Sequence, residues 1–408
     1  MQPARIEVGP SPSADVGRTQ DVRRGRRGLA RSAGRWLGER RLVLAVGLAA
    51  SIPIIVSVIR TLDAGWVPMS DDALISMKAL DVLTAHPPLL GPWSSGYSAI
   101  VHEPTFHPGP MLFWLLALPV RIFDPDSLIV TVGLVNVASA MGIVALADRR
   151  GGRPLMIAAA IAIPVMTLSL PPDAFAAVWN PSAALLPFGL LLFLCWSLAC
   201  GEHRLLPLAV LVASFAPQCH LSFAVPVAGT LVVGVVGLAL ARRALPRDRP
   251  DDRRSLRRWL VAAVAVGLVC WSAPLVDQVV HRPGNMVLLG RAVTAHQEKV
   301  GSGPAWRATV HAVGVMPWWL QEPRVGLARV IDLVVDPGAV AIASAALILA
   351  ALVALIVVAA RRGRGDVVAG CALGLVVAAA AALVTAAFLV LGGPAVTIAT
   401  ARAVREKP

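Results

Sequence analysis

Apolar and polar positions alternate along the chain in long blocks. Nine apolar runs, each of about 13 to 25 residues, stand out: Leu42–Ile59, Leu128–Ala147, Leu155–Leu170, Ala183–Cys200, Leu205–Pro217, Phe223–Ala241, Leu260–Val276, Val340–Ala360 and Val367–Leu391. A helix that crosses the hydrocarbon of a bilayer needs roughly 20 apolar residues, because each adds about 1.5 Å. The runs therefore predict an all-α polytopic membrane protein with about nine transmembrane helices spanning residues 42–391.

One apolar segment does not fit that series. Met111–Val120 has about 10 apolar residues, contains Pro119 and ends at Arg121. It is too short to span and suits a helix lying in the membrane interface. It falls in a first outer loop, residues 61–127, and a second large outer loop is expected over 277–337. The arginine cluster Arg149, Arg150 and Arg153 gives the parity. It lies inside if only Leu128–Ala147 crosses, and outside if Met111–Val120 crosses as well. The positive-inside rule selects the single crossing.

The same rule orders the rest. Arginines crowd the stretches 18–41, 149–153, 242–258 and 361–364, each bordering an apolar run. With the N-terminus in the cytoplasm, every cluster falls inside a cell membrane, and the polar loops that are not basic fall outside. Met1–Gln20, rich in Pro, Ser and Gly, is expected to be disordered, leading into a basic cytoplasmic arm up to Arg41. The last 17 residues, 392–408, are too few for a folded domain, so the chain either ends on its last helix or is a shortened form of something longer.

Composition supports this class. Apolar residues make up 57 % and charged ones 15 %, with a mean hydropathy of +0.71, against about 25 % charged in soluble domains. The net charge of +13 sits at the ends of apolar runs, which speaks for anionic lipid head groups as neighbours and against a nucleic-acid partner. The five cysteines fall in or beside apolar runs and are odd in number, so they read as small buried residues and not as a disulfide framework.

The polar residues that carry candidate chemistry cluster outside. Asp71 and Asp72 follow the first run, and a charge at the bilayer centre costs roughly 2.5 to 3.5 kcal/mol. The pair therefore lies outside the hydrocarbon or acts at its edge. Either residue could instead cap the helix that starts at Ala73. His102, Glu103 and His107 hint at a metal, but their spacing matches no common helical ligand motif. His220, between Gln218 and Ser222, serves equally well as an interfacial hydrogen-bonding group or as a phosphate contact. Trp179-Asn180-Pro181 reads as a turn and helix start.

The order of elements, with Asp71-Asp72-Ala73 after the first span, a short helix entered through His107-Pro108-Gly109-Pro110, and a second span ending in arginines, resembles the GT-C glycosyltransferases. The likeness is to the bacterial branch of protein O-mannosyltransferases and aminoarabinose and arabinofuranosyl transferases, over roughly residues 42–280. It implies a polyprenyl-phosphate sugar as donor and a glycan, lipid or protein acceptor on the outer face. Asp71 would be the base that activates the acceptor hydroxyl for inverting attack, Asp72 would orient the acceptor or a divalent metal, and Asp173 would assist. His107 would border the active-site loop, and Gln218, His220 and Arg282 would hold the phosphate. No motif of the family is recognised after about residue 280, and the 17 residues after the last run are not expected to form the C-terminal outer domain common in such enzymes. Two other readings are a lipid or sugar transporter, which calls for ionisable residues within spans or inverted repeats, and a non-catalytic shortened relative.

Overall fold

The structure, a computed structural model, describes residues 38–168, 170, 174–243, 250–295, 302–314 and 336–388. The expectations for residues 1–37, for Asp173, for residues 296–301 and 315–335 of the loop 277–337, for the end of the last span after residue 388 and for the tail 392–408 fall outside them. Within the described residues the chain is all-helical. The only pairing of extended backbone is one antiparallel bridge between Trp93 and Phe106.

The first apolar run forms α1 (Gly38–Ala50) and α2 (Ile52–Asp63), bent by 44°. The hydroxyl of Ser51 donates to the carbonyl of Gly47, and Pro53 in the next turn has no amide to give, so the backbone ladder breaks where the bend lies. The segment after α2 then makes three short helices, α3 (Asp71–Asp81), α4 (Ser95–Val101) and α5 (Met111–Ile122). As expected from its length, α5 spans only about 18 Å. Its Leu112, Phe113 and Leu116 are fully buried, because it packs between α3, α9 (Leu206–Cys219) and the start of α6 (Asp126–Leu168).

α6 is 43 residues long but is not one rod. Gly152, at φ 64° and ψ −162°, is non-helical and divides it where the sequence has Asp148-Arg149-Arg150-Gly151-Gly152-Arg153. That backbone conformation is open to glycine and strained for other residues. After α7 (Asn180–Ala183) and α8 (Leu185–Ala199) come α9, α10 (Ala224–Arg243), α11 (Pro250–Val280), α12 (Asn285–Thr294) and α13 (Ser302–Val313). α14 (Ala339–Arg361) and α15 (Gly365–Phe388) follow.

α8 sits at the centre. It packs against α6, α9, α10 and α15, and its Leu191, Leu194 and Leu198 are buried. α9 and α11 pair along their length, held by Trp271 Nε1 donating to Ser214 Oγ at 3.1 Å and Gln218 Nε2 donating to the carbonyl of Cys270 at 2.8 Å. The outer helices turn apolar side chains outward. Val264 and Leu268 of α11 are about 60 % exposed, and Val340 and Leu347 of α14 are 70 % exposed. Large apolar side chains bared over whole helix faces are the mark of a protein surface solvated by lipid. Among the described residues, five helices are long and apolar enough to cross a membrane, or six with the bent α1–α2 pair taken as one.

Candidate functional site

At one end of this bundle the short outer helices close over a cavity of about 480 Å³. Its apolar walls come from the proline-rich segment 87–93, from Leu74 and Ile75 of α3, from Phe106 and from Phe113 of α5. Five polar side chains enter it: Asp71 and Lys78 of α3, Asn180 of α7, Asp277 of α11, and His281 just beyond α11. An apolar cleft of this size with a few convergent polar groups is the usual form of a small-molecule site.

Asp71 opens α3. The residue before it, Ser70, is the N-cap, yet its backbone lies at φ 51° and ψ −122° and its side chain makes no capping bond. A non-glycine residue held there stores about 1–3 kcal/mol of strain, which only a surrounding structure that fixes the turn can maintain. The turn brings both carboxylates to the first turn of α3, where the helix dipole favours negative charge. The carboxylate of Asp71 is exposed to the cavity and has no hydrogen bond among the described residues, so it does not serve as a helix cap. Asp72, beside it, is half-buried.

Opposite, Asp277 is built into the wall. It is 2 % exposed and accepts three hydrogen bonds: from His281 Nδ1 at 2.9 Å, from the backbone amide of Asn285 at 2.8 Å and from Gln278 Nε2 at 3.2 Å. A buried carboxylate is tolerable only when its lone pairs are met in this way. Because Nδ1 donates to Asp277, the Nε2 edge of the 60 % exposed His281 ring is the one left for chemistry. Asn285 carries the frame further. Its side-chain amide pairs with both backbone groups of Phe106, donating to the carbonyl and accepting from the amide, each at 2.9 Å. Phe106 in turn bridges to Trp93, and the amide of Ser94 donates to the carbonyl of Thr105. The cavity wall 87–93 is thus tied to α11 and α12 through one asparagine. Asp277 and His281 form no part of the sequence-based site. Their one signal is an Asp and a His spaced i, i+4 at the end of an apolar run, which places both on one helix face.

His107, Gln218 and His220 come together, but against Gly91 and Gly109 and not in the cavity lining. The rings of His107 and His220 lie 4.5 Å apart, and His107 Nδ1 accepts from the amide of Leu221 at 3.2 Å. Burial, with His220 beside it, pushes His107 down to about 3, and burial pushes His220 down to about 4. At neutral pH both rings are uncharged and act as hydrogen-bonding groups. His220 pairs with Ser222 Oγ at 2.7 Å. Gln218 is fully buried, with Oε1 against Gly109 and without a hydrogen-bond partner among the described residues. Glycine is required at that close approach, since a Cβ on Gly109 would also come within 2.6 Å of Gln218 Cδ and 2.8 Å of Pro274. Asn180 links the two groups of residues, because its Nδ2 donates to the carbonyl of Cys219 at 2.7 Å while it lines the cavity.

Arg282 is exposed, next to His281 but outside the cavity lining. His102 and Glu103 point elsewhere, with Glu103 3.8 Å from Arg291. Among the described residues, no three His, Cys, Asp or Glu side chains come together in a way that could hold a metal ion. No family model, no curated protein and no solved structure matches this chain.

Proposed function

We propose that the chain is a multi-pass membrane glycosyltransferase that moves a sugar from a polyprenyl phosphate to an acceptor at the outer face of a cell membrane. The observation that carries this reading is the position of Asp71, a carboxylate with no hydrogen bond among the described residues, on the wall of a cavity that joins apolar surface to a few polar groups. Asp71 takes the proton of the acceptor hydroxyl as that oxygen bonds to the anomeric carbon. The bond from that carbon to the phosphate oxygen breaks at the same time, and the configuration inverts. His281, its Nδ1 bound to Asp277, can donate from Nε2 to the departing phosphate when the ring carries its second proton, and Lys78 adds a cation on the same wall. The apolar walls suit the first units of the lipid.

Nine spans fit this reading. They are α1–α2, the two halves of α6 on either side of Gly152, α7–α8, α9, α10, α11, α14 and α15. With the arginine-bordered ends in the cytoplasm, the Asp71 cavity opens outward.

The test is incorporation of labelled sugar from polyprenyl-phosphate donors by membranes holding the wild type beside Asp71→Asn. Donor-dependent labelling that vanishes in the variant, with insertion unchanged, is the expected result. Full labelling by the variant removes Asp71 as the base. No labelling from any donor by inserted wild-type protein removes the transferase reading.

A further inference from the structure

Asn180 and Trp196 lie on the same helical stretch, Asn180–Ala199, about 24 Å apart along its axis. Asn180 lines the cavity already described, and Trp196 lines a second one of about 500 Å³ near the other end of α8. The two cavities are thus separated by most of the roughly 30 Å thickness of a bilayer core. The second lies between α6, α8 and α15. Leu155, Ala158, Val367 and Trp196 give it apolar walls, and Arg150 and Arg364 stand at its margin with Asp366.

The charge around it is lopsided. Segments 148–153 and 361–366 carry six arginines and two aspartates. Glu202 answers two of the arginines, lying 3.3 Å from Arg149 and also paired with Arg150. Arg150 is pinned there with its side chain only 14 % exposed, and its buried Nε has no hydrogen-bond partner among the described residues. Arg364 meets Asp366 through Nε at 3.0 Å and Nη2 at 2.9 Å, which leaves its Nη1 edge outward. Trp196 Nε1 donates to the backbone carbonyl of Asp366 at 2.7 Å and holds the two sides of the groove together.

Two arginines lining an apolar trough at a membrane boundary, within a segment pair whose arginines outnumber its carboxylates, suit one ligand chemistry, a phosphodiester carried on acyl chains. A free anion would gain nothing from Leu155, Ala158 and Val367, and a neutral lipid would leave the excess positive charge unanswered. We propose that this groove binds an anionic phospholipid, its phosphate between Arg150 and Arg364 and its acyl chain along α6 and α15. The bound lipid bridges α15 to α6 beside the break at Gly152, whatever reaction the first cavity performs.

The experiment is native mass spectrometry of the full chain released from membranes of equimolar phosphatidylglycerol and phosphatidylcholine, counting the lipid that stays bound. The wild type is expected to retain phosphatidylglycerol roughly 30-fold over phosphatidylcholine, the factor that about 1 kcal/mol from each of the two arginines supports. Arg150→Gln with Arg364→Gln should bring the ratio close to even. Arg204→Gln, which removes an exposed arginine outside the groove lining, should leave it unchanged. Equal retention by the wild type, an unaltered ratio in the double variant, or an equal loss in Arg204→Gln overturns the proposal. If the double variant does not insert, Ala158→Leu decides, since it fills the apolar half of the groove without touching a charge; undiminished retention there also overturns it.

Discussion

Asp277 Oδ1 accepts a hydrogen bond from His281 Nδ1 at 2.9 Å, one helical turn apart, with the aspartate buried and the imidazole facing the cavity. The arrangement separates two tasks. The buried residue fixes an orientation, and the exposed one meets the ligand.

Substitution tests both tasks. Asp277→Ala leaves the buried amide of Asn285 without its acceptor and should cost about 1–3 kcal/mol, read as a lower melting temperature. His281→Ala takes the donor from the buried Oδ1 of Asp277, so it should also cost about 1–3 kcal/mol, and sugar transfer should fall at equal amounts of inserted protein. Transfer at the wild-type rate by His281→Ala would remove the imidazole from the reaction.

Asn285→Ala breaks both hydrogen bonds to Phe106. The expected loss is about 1–2 kcal/mol, confined to the outer segment. Hydrogen exchange at the Phe106 amide should quicken markedly. Exchange at buried amides of α9 should not change.

The paired histidines set a pH dependence. Both rings have folded-state values, about 3 for His107 and about 4 for His220, below the ordinary histidine range near 6.5. The unfolded chain therefore binds more protons between those values, and stability rises with pH across that window. It is fully present above about pH 6.5 and is lost as the pH falls toward 4. His107→Gln keeps an acceptor for the Leu221 amide and removes one titration, so its decline with acid should be shallower. A melting temperature that does not change between pH 7 and 4.5 would contradict the burial of the pair.

Gly109→Ala puts a methyl group into the side chains of Gln218 and Pro274. Overpacking of this kind costs about 1–3 kcal/mol. Gly96→Ala, where a Cβ meets nothing within 4 Å, is the control and should melt no lower than the wild type. Equal melting temperatures for the two variants would show that α9 and α11 yield at this point.

The sequence by itself determined the helices and their environment. Long apolar runs need only their own backbone hydrogen bonds to be satisfied in lipid, so Leu128–Ala147 and Leu155–Leu170 are legible as helices on either side of a glycine-arginine turn. The shortness of Met111–Val120 was likewise legible, as was the position of Asp71 at a helix start. Only the tertiary structure decided which polar residues share a site. Asp71 and Asp277 are far apart in the chain, and Phe106 finds Asn285 across 179 residues. Gln218 and His220 look like surface groups in sequence, yet Gln218 is fully buried against Gly109 and His220 packs on His107. The reason is physical. A span is specified by the hydropathy of its own residues, whereas the neighbours of a loop residue are set by how the helix ends are packed, and no local pattern encodes that.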